Sequence, residues 1–323
     1  MSEIVRRKSV LSVIGLAAAA FIMACGSAGK GAAQLKAVDF ASFFAAYEKA
    51  DTRAALAALP QALRDASPYT TEAAALPPYQ RDEPIYFKLA SDQEAAPPVS
   101  EAALAESAVH YGLGVLAYRQ GEWETARRRF LLALLRNPGQ RMAHIYLARA
   151  YGKLEEDALK GAKEGEDAGA VLTARVGIGS SDQHIEMAQE ILDRDGRPDL
   201  PALLVTFQFD KGAVKGFKAE WTTASGNARM QRETAAKNEP GSCRVELCGP
   251  ARLVLDEKPF PPVQTVYWDG LDAQQKPIGG RNDQTTFVVS LELLSLSPGE
   301  RVIVYDPAGR RIFAAPVPAH LAG

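Results

Sequence analysis

Apolar residues recur along this chain with two periods. Up to about residue 195 they fall three and four apart, the spacing of one helical face; beyond Pro201 they fall two apart, the spacing of one face of a strand. Phe40, Phe43, Phe44 and Tyr47 make a first helical stripe, with Asp39 placed to cap it. Asp51 is placed to cap a second helix carrying Leu56, Leu59 and Leu63, which Pro60 interrupts or restarts. The aromatic stripe reads as core packing. Residues 67–98 hold Pro68, Pro77, Pro78, Pro84, Pro97 and Pro98, which argues against regular helix there. Tyr69, Tyr79, Tyr86 and Phe87 lie among them, so this stretch reads as a strap laid on the surface. A further helix is expected at Gln183 to Asp193, with Ser181 or Asp182 as its cap.

In the second half Val205, Phe207 and Phe209 alternate, Asp210-Lys211-Gly212 turns, and Phe217, Ala219 and Trp221 alternate again, a hairpin signal. More strands read at Arg244 to Leu247, Arg252 to Leu255, Val263 to Trp268, Thr286 to Leu294, Arg301 to Tyr305 and Arg311 to Ala314. Many short strands with Gly/Pro turns predict an antiparallel β-sandwich. The expected fold class is α+β and multidomain: a helical domain over 36–195 and a sandwich over 200–318, joined at Asp195-Gly196-Arg197-Pro198.

Composition supports two globular cores, with 47% hydrophobic and 24% charged residues in 323. Thirty-seven Lys+Arg against thirty-nine Asp+Glu exclude a nucleic-acid binder that relies on bulk charge. Three Cys and four His are too few for a zinc-finger array, and no metal site or cofactor is expected.

The N-terminus reads as an address. Arg6, Arg7 and Lys8 precede an apolar run from Val10 to Met23, the length of a signal peptide's core and short for a membrane span. It ends Ile22-Met23-Ala24-Cys25, which resembles the lipobox of bacterial lipoproteins. The resemblance implies cleavage of a 1–24 signal peptide, lipidation of Cys25, and anchorage to a membrane through two or three acyl chains. Gly26 after the lipidated residue points to the outer membrane, facing the periplasm; residues 25–35 read as a flexible tether.

The run SAVHYGLGVLAYRQGEWETARRRFLLALLRNP, from Ser107, resembles one tetratricopeptide repeat: Leu113-Gly114, Gly121, Ala126, Phe130, Ala133 and Pro138 stand at the family's spacing. Leu147-Ala148 and Ala150-Tyr151 begin a second copy 34 residues on, its second helix degenerate around Glu155 to Lys163. The resemblance implies a concave groove for a peptide or protein partner, lined by Tyr111, Val115, Tyr118, Arg119, Ile145, Arg149 and Lys153, apolar with a basic end. Trp268-Asp269-Gly270-Leu271-Asp272 and Val304 to Arg310 resemble hairpin segments of bacterial immunoglobulin-like modules, in reversed order, and imply a sandwich without transferring a function.

Candidate chemistry is sparse. Export puts Cys243 and Cys248 where a disulfide can form, but in an extended strand they point to opposite faces, so pairing needs a turn or bulge; two thiols are the alternative. His110, His144, His184 and His320 are dispersed, and His110 and His144 read as helix packing. Ser181-Asp182-Gln183-His184 reads as capping rather than a triad, and no G-x-S-x-G segment positions a nucleophile. Asp269, Asp272, Asp283 and Asp306 read as turn residues rather than Ca2+ ligands. Arg127, Arg128 and Arg129 read mostly as a solvated outer face, and the polar stretch Ser225 to Ser242 as a loop that orders on binding. The expected function is that of a cell-envelope lipoprotein acting as a protein-binding scaffold or assembly factor, not an enzyme. The alternatives are an envelope hydrolase of peptidoglycan or glycans, and a carbohydrate-binding lipoprotein using Trp221, Tyr267 and Trp268.

Overall fold

A computed structural model describes residues 40–74, 76, 81–86, 88–89, 99–165, 168–193, 200–224, 241–271, 276–295 and 298–318. The leader, Cys25, the tether, the 195–198 joint, His320 and most of the 225–242 loop lie outside the described residues. Helices occupy the chain up to Asp193 and strands run from Pro201 to Pro316, an α+β chain whose sheets are antiparallel. Among the described residues no helix is long and apolar enough to cross a membrane.

Four short helices come first: α1 (Phe40–Tyr47), α2 (Thr52–Ala57), α3 (Gln61–Arg64) and α4 (Thr71–Ala74). Asp51 caps α2, its carboxylate accepting from the Ala54 N–H at 2.9 Å, and the chain restarts at Pro60 ahead of α3. The expectation of no regular helix over 67–98 is corrected: besides α4, residues 81–86 and 88–89 are helical and bury Asp82, Ile85 and Leu89 on one face. Tyr69 is buried and Tyr86 half-buried, while Tyr79 and Phe87 lie outside the described residues. Four long helices follow: α5 (Glu101–Arg119), α6 (Trp123–Arg136), α7 (Arg141–Gly165) and α8 (Ala168–Asp193). α5 and α6 turn at Gly121, whose φ of 77° suits glycine. They meet at Gly114, where a Cβ would stand 2.5 Å from the Phe130 ring, so only glycine permits this approach.

Two further expectations need correction. α7 does not stop for a second helix near Glu155; it runs for 25 residues, and its partner is the 26-residue α8. Ser181 caps nothing: it lies inside α8, and its hydroxyl donates to the Ala148 carbonyl at 3.1 Å, tying α8 to α7.

Nine strands follow: β1 (Pro201–Asp210), β2 (Ala213–Thr223), β3 (Cys243–Cys248), β4 (Val254–Phe260), β5 (Gln264–Leu271), β6 (Pro277–Gln284), β7 (Thr286–Leu294), β8 (Arg301–Tyr305) and β9 (Arg311–Pro316). They order as β2-β1-β7, as β4-β3-β8-β9, and as a separate β5-β6 pair. The β1–β2 turn is Lys211-Gly212, with φ of 48° and 86°, a two-residue turn whose twist matches the strands. β4 starts at Val254 rather than Arg252, because Ala251 and Arg252 take left-handed backbone (φ 52° and 64°). β6, polar and containing two glycines, was not expected as a strand.

The described parts stack in three layers. Leu203, Val205, Phe207 and Phe209 of β1 pack against Val245, Leu247, Val302 and Val304 of the four-stranded sheet. The other face of that sheet gives Cys248, Val254, Ile303 and Tyr305 to a second core, shared with Phe43, Tyr47, Tyr111, Val115, Phe130 and Ile145 of the helices. The four-stranded sheet is therefore the middle layer, and every residue of β3 is buried.

This placement overturns the disulfide. Both thiols are free and buried. β3 is one uninterrupted strand, so Cys243 turns into the core between the sheets and Cys248 toward the helices. Burial pushes the Cys243 thiol up to about 12, and Cys248 is raised by the same cause.

Candidate functional site

Where the helices meet the middle sheet, the seam is charged as well as apolar. β3 alternates: Val245 and Leu247 enter the apolar core, while Arg244 and Glu246 face the helices. The antiparallel register sets Glu257 of β4 directly opposite Glu246. Two carboxylates in that position repel, and both are buried. Arg244 lies between them, 3.0 Å from Glu246 Oε1 and 3.3 Å from Glu257 Oε2, with its guanidinium 4.1 Å from the centre of the Tyr305 ring.

The helices supply the remaining partners. From α1, the Tyr47 hydroxyl donates to Glu246 Oε1 at 3.1 Å and accepts from Arg244 Nη2 at 3.0 Å. From α7, the Tyr146 hydroxyl donates to Glu257 Oε1 at 2.6 Å, and Arg149 stands 3.9 Å from the same oxygen with its guanidinium over the Tyr146 ring. One turn earlier, Arg141 pairs with Asp256 at 2.9 Å, and Asp256 also accepts the Leu294 N–H at 2.8 Å. Burial raises the Glu246 pKa from its ordinary value, against the pull of Arg244, and burial likewise raises Tyr47 and Tyr146. A narrow cavity of about 10 Å³, room for one water, borders Tyr47, Tyr111, Glu246 and Cys248.

These contacts decide where the expected groove residues stand. Tyr111, Val115 and Ile145 are buried and Arg149 faces Glu257, so the inner face of the helices is occupied by the chain's own sheet. Tyr118 and Lys153 are half-buried at the margin, Lys153 paired with Glu156 at 2.9 Å, and Arg119 is exposed. Tyr118, Arg119 and Arg149 do not share one exposed surface.

The arginine run is also corrected. Arg127 is wholly buried and pairs with Asp82, and Arg129 donates to the Leu63 carbonyl at 2.9 Å; of the three, Arg128 alone is exposed. Asp82 also accepts from Tyr69 and, at 2.5 Å, from Tyr151, and so fastens the strap to α6 and α7. Ser181, Asp182 and His184 form no triad, since His184 turns inward to His144, Nδ1 to Nδ1 at 3.1 Å. Asp283 is held by Arg281 and Thr265 and Asp306 by Arg310, whereas Asp272 and the Asp269 side chain lie outside the described residues. No group of metal-binding side chains occurs among the described residues. Trp221 is half-buried with its indole N–H on the Pro318 carbonyl at 2.8 Å, and the Tyr267 and Trp268 rings lie outside the described residues.

Sequence reasoning missed Arg244, Glu246 and Glu257. For Arg244 and Glu246 the signal was a polar residue at every second place of an apolar strand, which reads equally as a solvated face. Glu257 lies in the polar run Asp256-Glu257-Lys258, which carries no alternation at all. No protein-family model matches the chain, and no curated protein and no solved structure matches it.

Proposed function

We propose that the chain is a cell-envelope lipoprotein acting as a protein-binding scaffold. Cys25 carries the anchor and residues 26–35 the tether. The long helices act as a tetratricopeptide-like array and the stacked sheets as an immunoglobulin-like sandwich. The reading assigns no catalytic residue and no cofactor. The observation that carries it is the use made of the helices' inner face: Tyr146 and Arg149 take Glu257 of an extended strand. That is how a basic-ended repeat groove engages an acidic segment, here within one chain.

With the groove engaged in cis, the partner is taken by the sandwich. The β2 edge is the candidate surface: among the described residues β2 pairs with β1 alone, and it exposes Lys215, Lys218 and Glu220. An edge of eleven residues can accept a partner strand through backbone hydrogen bonds.

The test is crosslinking in membranes from a photoreactive residue at Lys218, and separately at Tyr118, with metabolic labelling by an alkyne fatty acid. The expected result is a label lost in Cys25→Ala and a discrete adduct from Lys218. An adduct from Tyr118 alone returns the partner to the groove margin. A labelled, folded protein with no adduct from either position removes the scaffold reading.

A further inference from the structure

Around the contact of Glu48 with Arg311 at the start of β9, a two-lobed cleft opens among the described residues. The first lobe, about 810 Å³, lies between α1, the first turns of α5 and the middle sheet; the second, about 820 Å³, runs along β9. Each is the size of a small-molecule site. The helical wall of the first lobe is largely apolar, built by Phe40, Phe44, Ala45 and Ala105; Phe40 and Phe44 are the half-buried margin of the stripe whose Phe43 and Tyr47 are buried. The sheet wall carries Arg252, Arg301 and Arg311, which border both lobes.

Arg252 is held there by unusual backbone. It and Ala251 both take left-handed conformations, with φ of 64° and 52°, a backbone that non-glycine residues adopt at a cost. Its Nη2 pairs with Glu48, while Nη1 is buried without a hydrogen-bond partner among the described residues. Glu48 is shared with Arg311, and Arg301 makes no ion pair among the described residues. The other carboxylates facing the cleft are Glu101 and Glu300, both exposed at its margins. Arg252 and Arg311 thus share one buried carboxylate, and Arg301 stands beside them without an ion pair among the described residues.

We propose that this cleft binds a single-chain anionic amphiphile, a long-chain carboxylate, with its headgroup on Arg252 and Arg301 and its hydrocarbon along Phe40, Phe44, Ala45 and Ala105. A planar guanidinium suits a carboxylate through paired N–H···O bonds. A small inorganic anion would leave the apolar wall bare, and a neutral lipid would leave the guanidiniums unanswered. The chain's own segment 26–39 is a poorer match, since it brings Lys30 and Lys36 with one acid, Asp39. The inference does not depend on the anchor or on the partner surface at β2.

The test is calorimetric titration of the full chain bearing Cys25→Ala with laurate below its micellar concentration. Decanoate, dodecyltrimethylammonium and inorganic phosphate serve as comparators. The expected result is one laurate per chain, decanoate about tenfold weaker from losing two buried methylenes, and no binding of the cation or of phosphate. Arg301→Gln should weaken laurate at least tenfold, and Ala41→Trp or Ala45→Trp, at exposed positions bordering the first lobe, should abolish binding without lowering the unfolding temperature. Equal binding of laurate and the cation, or laurate binding unchanged in all three variants, would overturn the proposal, as would no binding at all. Laurate that binds the Cys25→Ala chain but not the acylated one would assign the cleft to the chain's own anchor.

Discussion

His110 lies in the helical core with no hydrogen bond to either ring nitrogen among the described residues. Burial first, then the charges of Arg129 and Arg136, drops its pKa from 6.5 to about 3. His144 falls to about 4 through burial, and His184 falls well below its ordinary value through burial and then His144. The hydrogen bonds assign the tautomers: His144 Nε2 donates to the Pro138 carbonyl at 2.9 Å, leaving its Nδ1 to accept from His184. All three rings are thus neutral when folded. The unfolded chain takes up protons first as pH falls below 6.5, so stability is lost from there down toward the folded values. At pH 5 each such histidine costs about 2 kcal/mol relative to neutral pH. His110→Leu should remove one share: urea unfolding at pH 7.5 and pH 5 should differ by about 2 kcal/mol less in the variant than in the parent. An unchanged difference would mean that His110 is protonated in the fold. Reading His110 and His144 as packing residues needed only their place in an apolar helix. Arg127 was beyond such reading, because Asp82, the group that neutralises it, sits 45 residues away on a short helix that the surrounding prolines disguise.

The α5–α6 pair was legible for a steric reason. Small residues at fixed spacing have one physical use, the close approach of two helices, and Gly114 against Phe130 is that approach. Gly114→Ala would drive a methyl into a fully buried ring and should cost about 1–3 kcal/mol. Gly152→Ala, in α7 with nothing within 4 Å of the added carbon, should instead stabilise by about 0.5–1 kcal/mol. Chemical unfolding of both variants checks the pair; equal effects would mean that the helices can separate at Gly114. The β1–β2 hairpin was legible from alternation plus a turn that tolerates positive φ. What escaped had no local signature. The extent of α7 and α8 is set by their packing on each other. β6 pairs through its backbone, and the start of β4 is set by the left-handed turn at Ala251-Arg252.

At the scale of the molecule, the middle sheet has apolar residues on one face and a mixed apolar and ionic seam on the other. The two faces differ in consequence. The apolar core tolerates changes of shape at modest cost, whereas a buried ion network is stable only when every charge keeps its partner. Arg244 is the member on which both carboxylates depend. Arg244→Met leaves Glu246 opposed to Glu257 with the Tyr47 hydroxyl in place of a cation, and Glu257 with Tyr146 and the more distant Arg149, and should cost about 3–5 kcal/mol. Arg141→Met should cost less, because Asp256 keeps the Leu294 N–H and has Lys258 at 3.8 Å. Exposed Arg128→Met should cost under about 0.5 kcal/mol. Helical and sheet signals should melt together in the parent, since Tyr47, Tyr146 and Arg149 give the helices their share of the same network, and should separate or broaden in Arg244→Met. The seam also bears on function. On the proposed scaffold reading, a partner reaching the helices' inner face must first break the Tyr146 and Arg149 contacts to Glu257, so Glu257→Ala should let a crosslinker placed at Ile145 react where the parent does not. Equal reaction in parent and variant would mean that the sheet leaves the inner face of the helices without cost, and the proposed scaffold reading would then require exchange of the chain's own strand for a partner's.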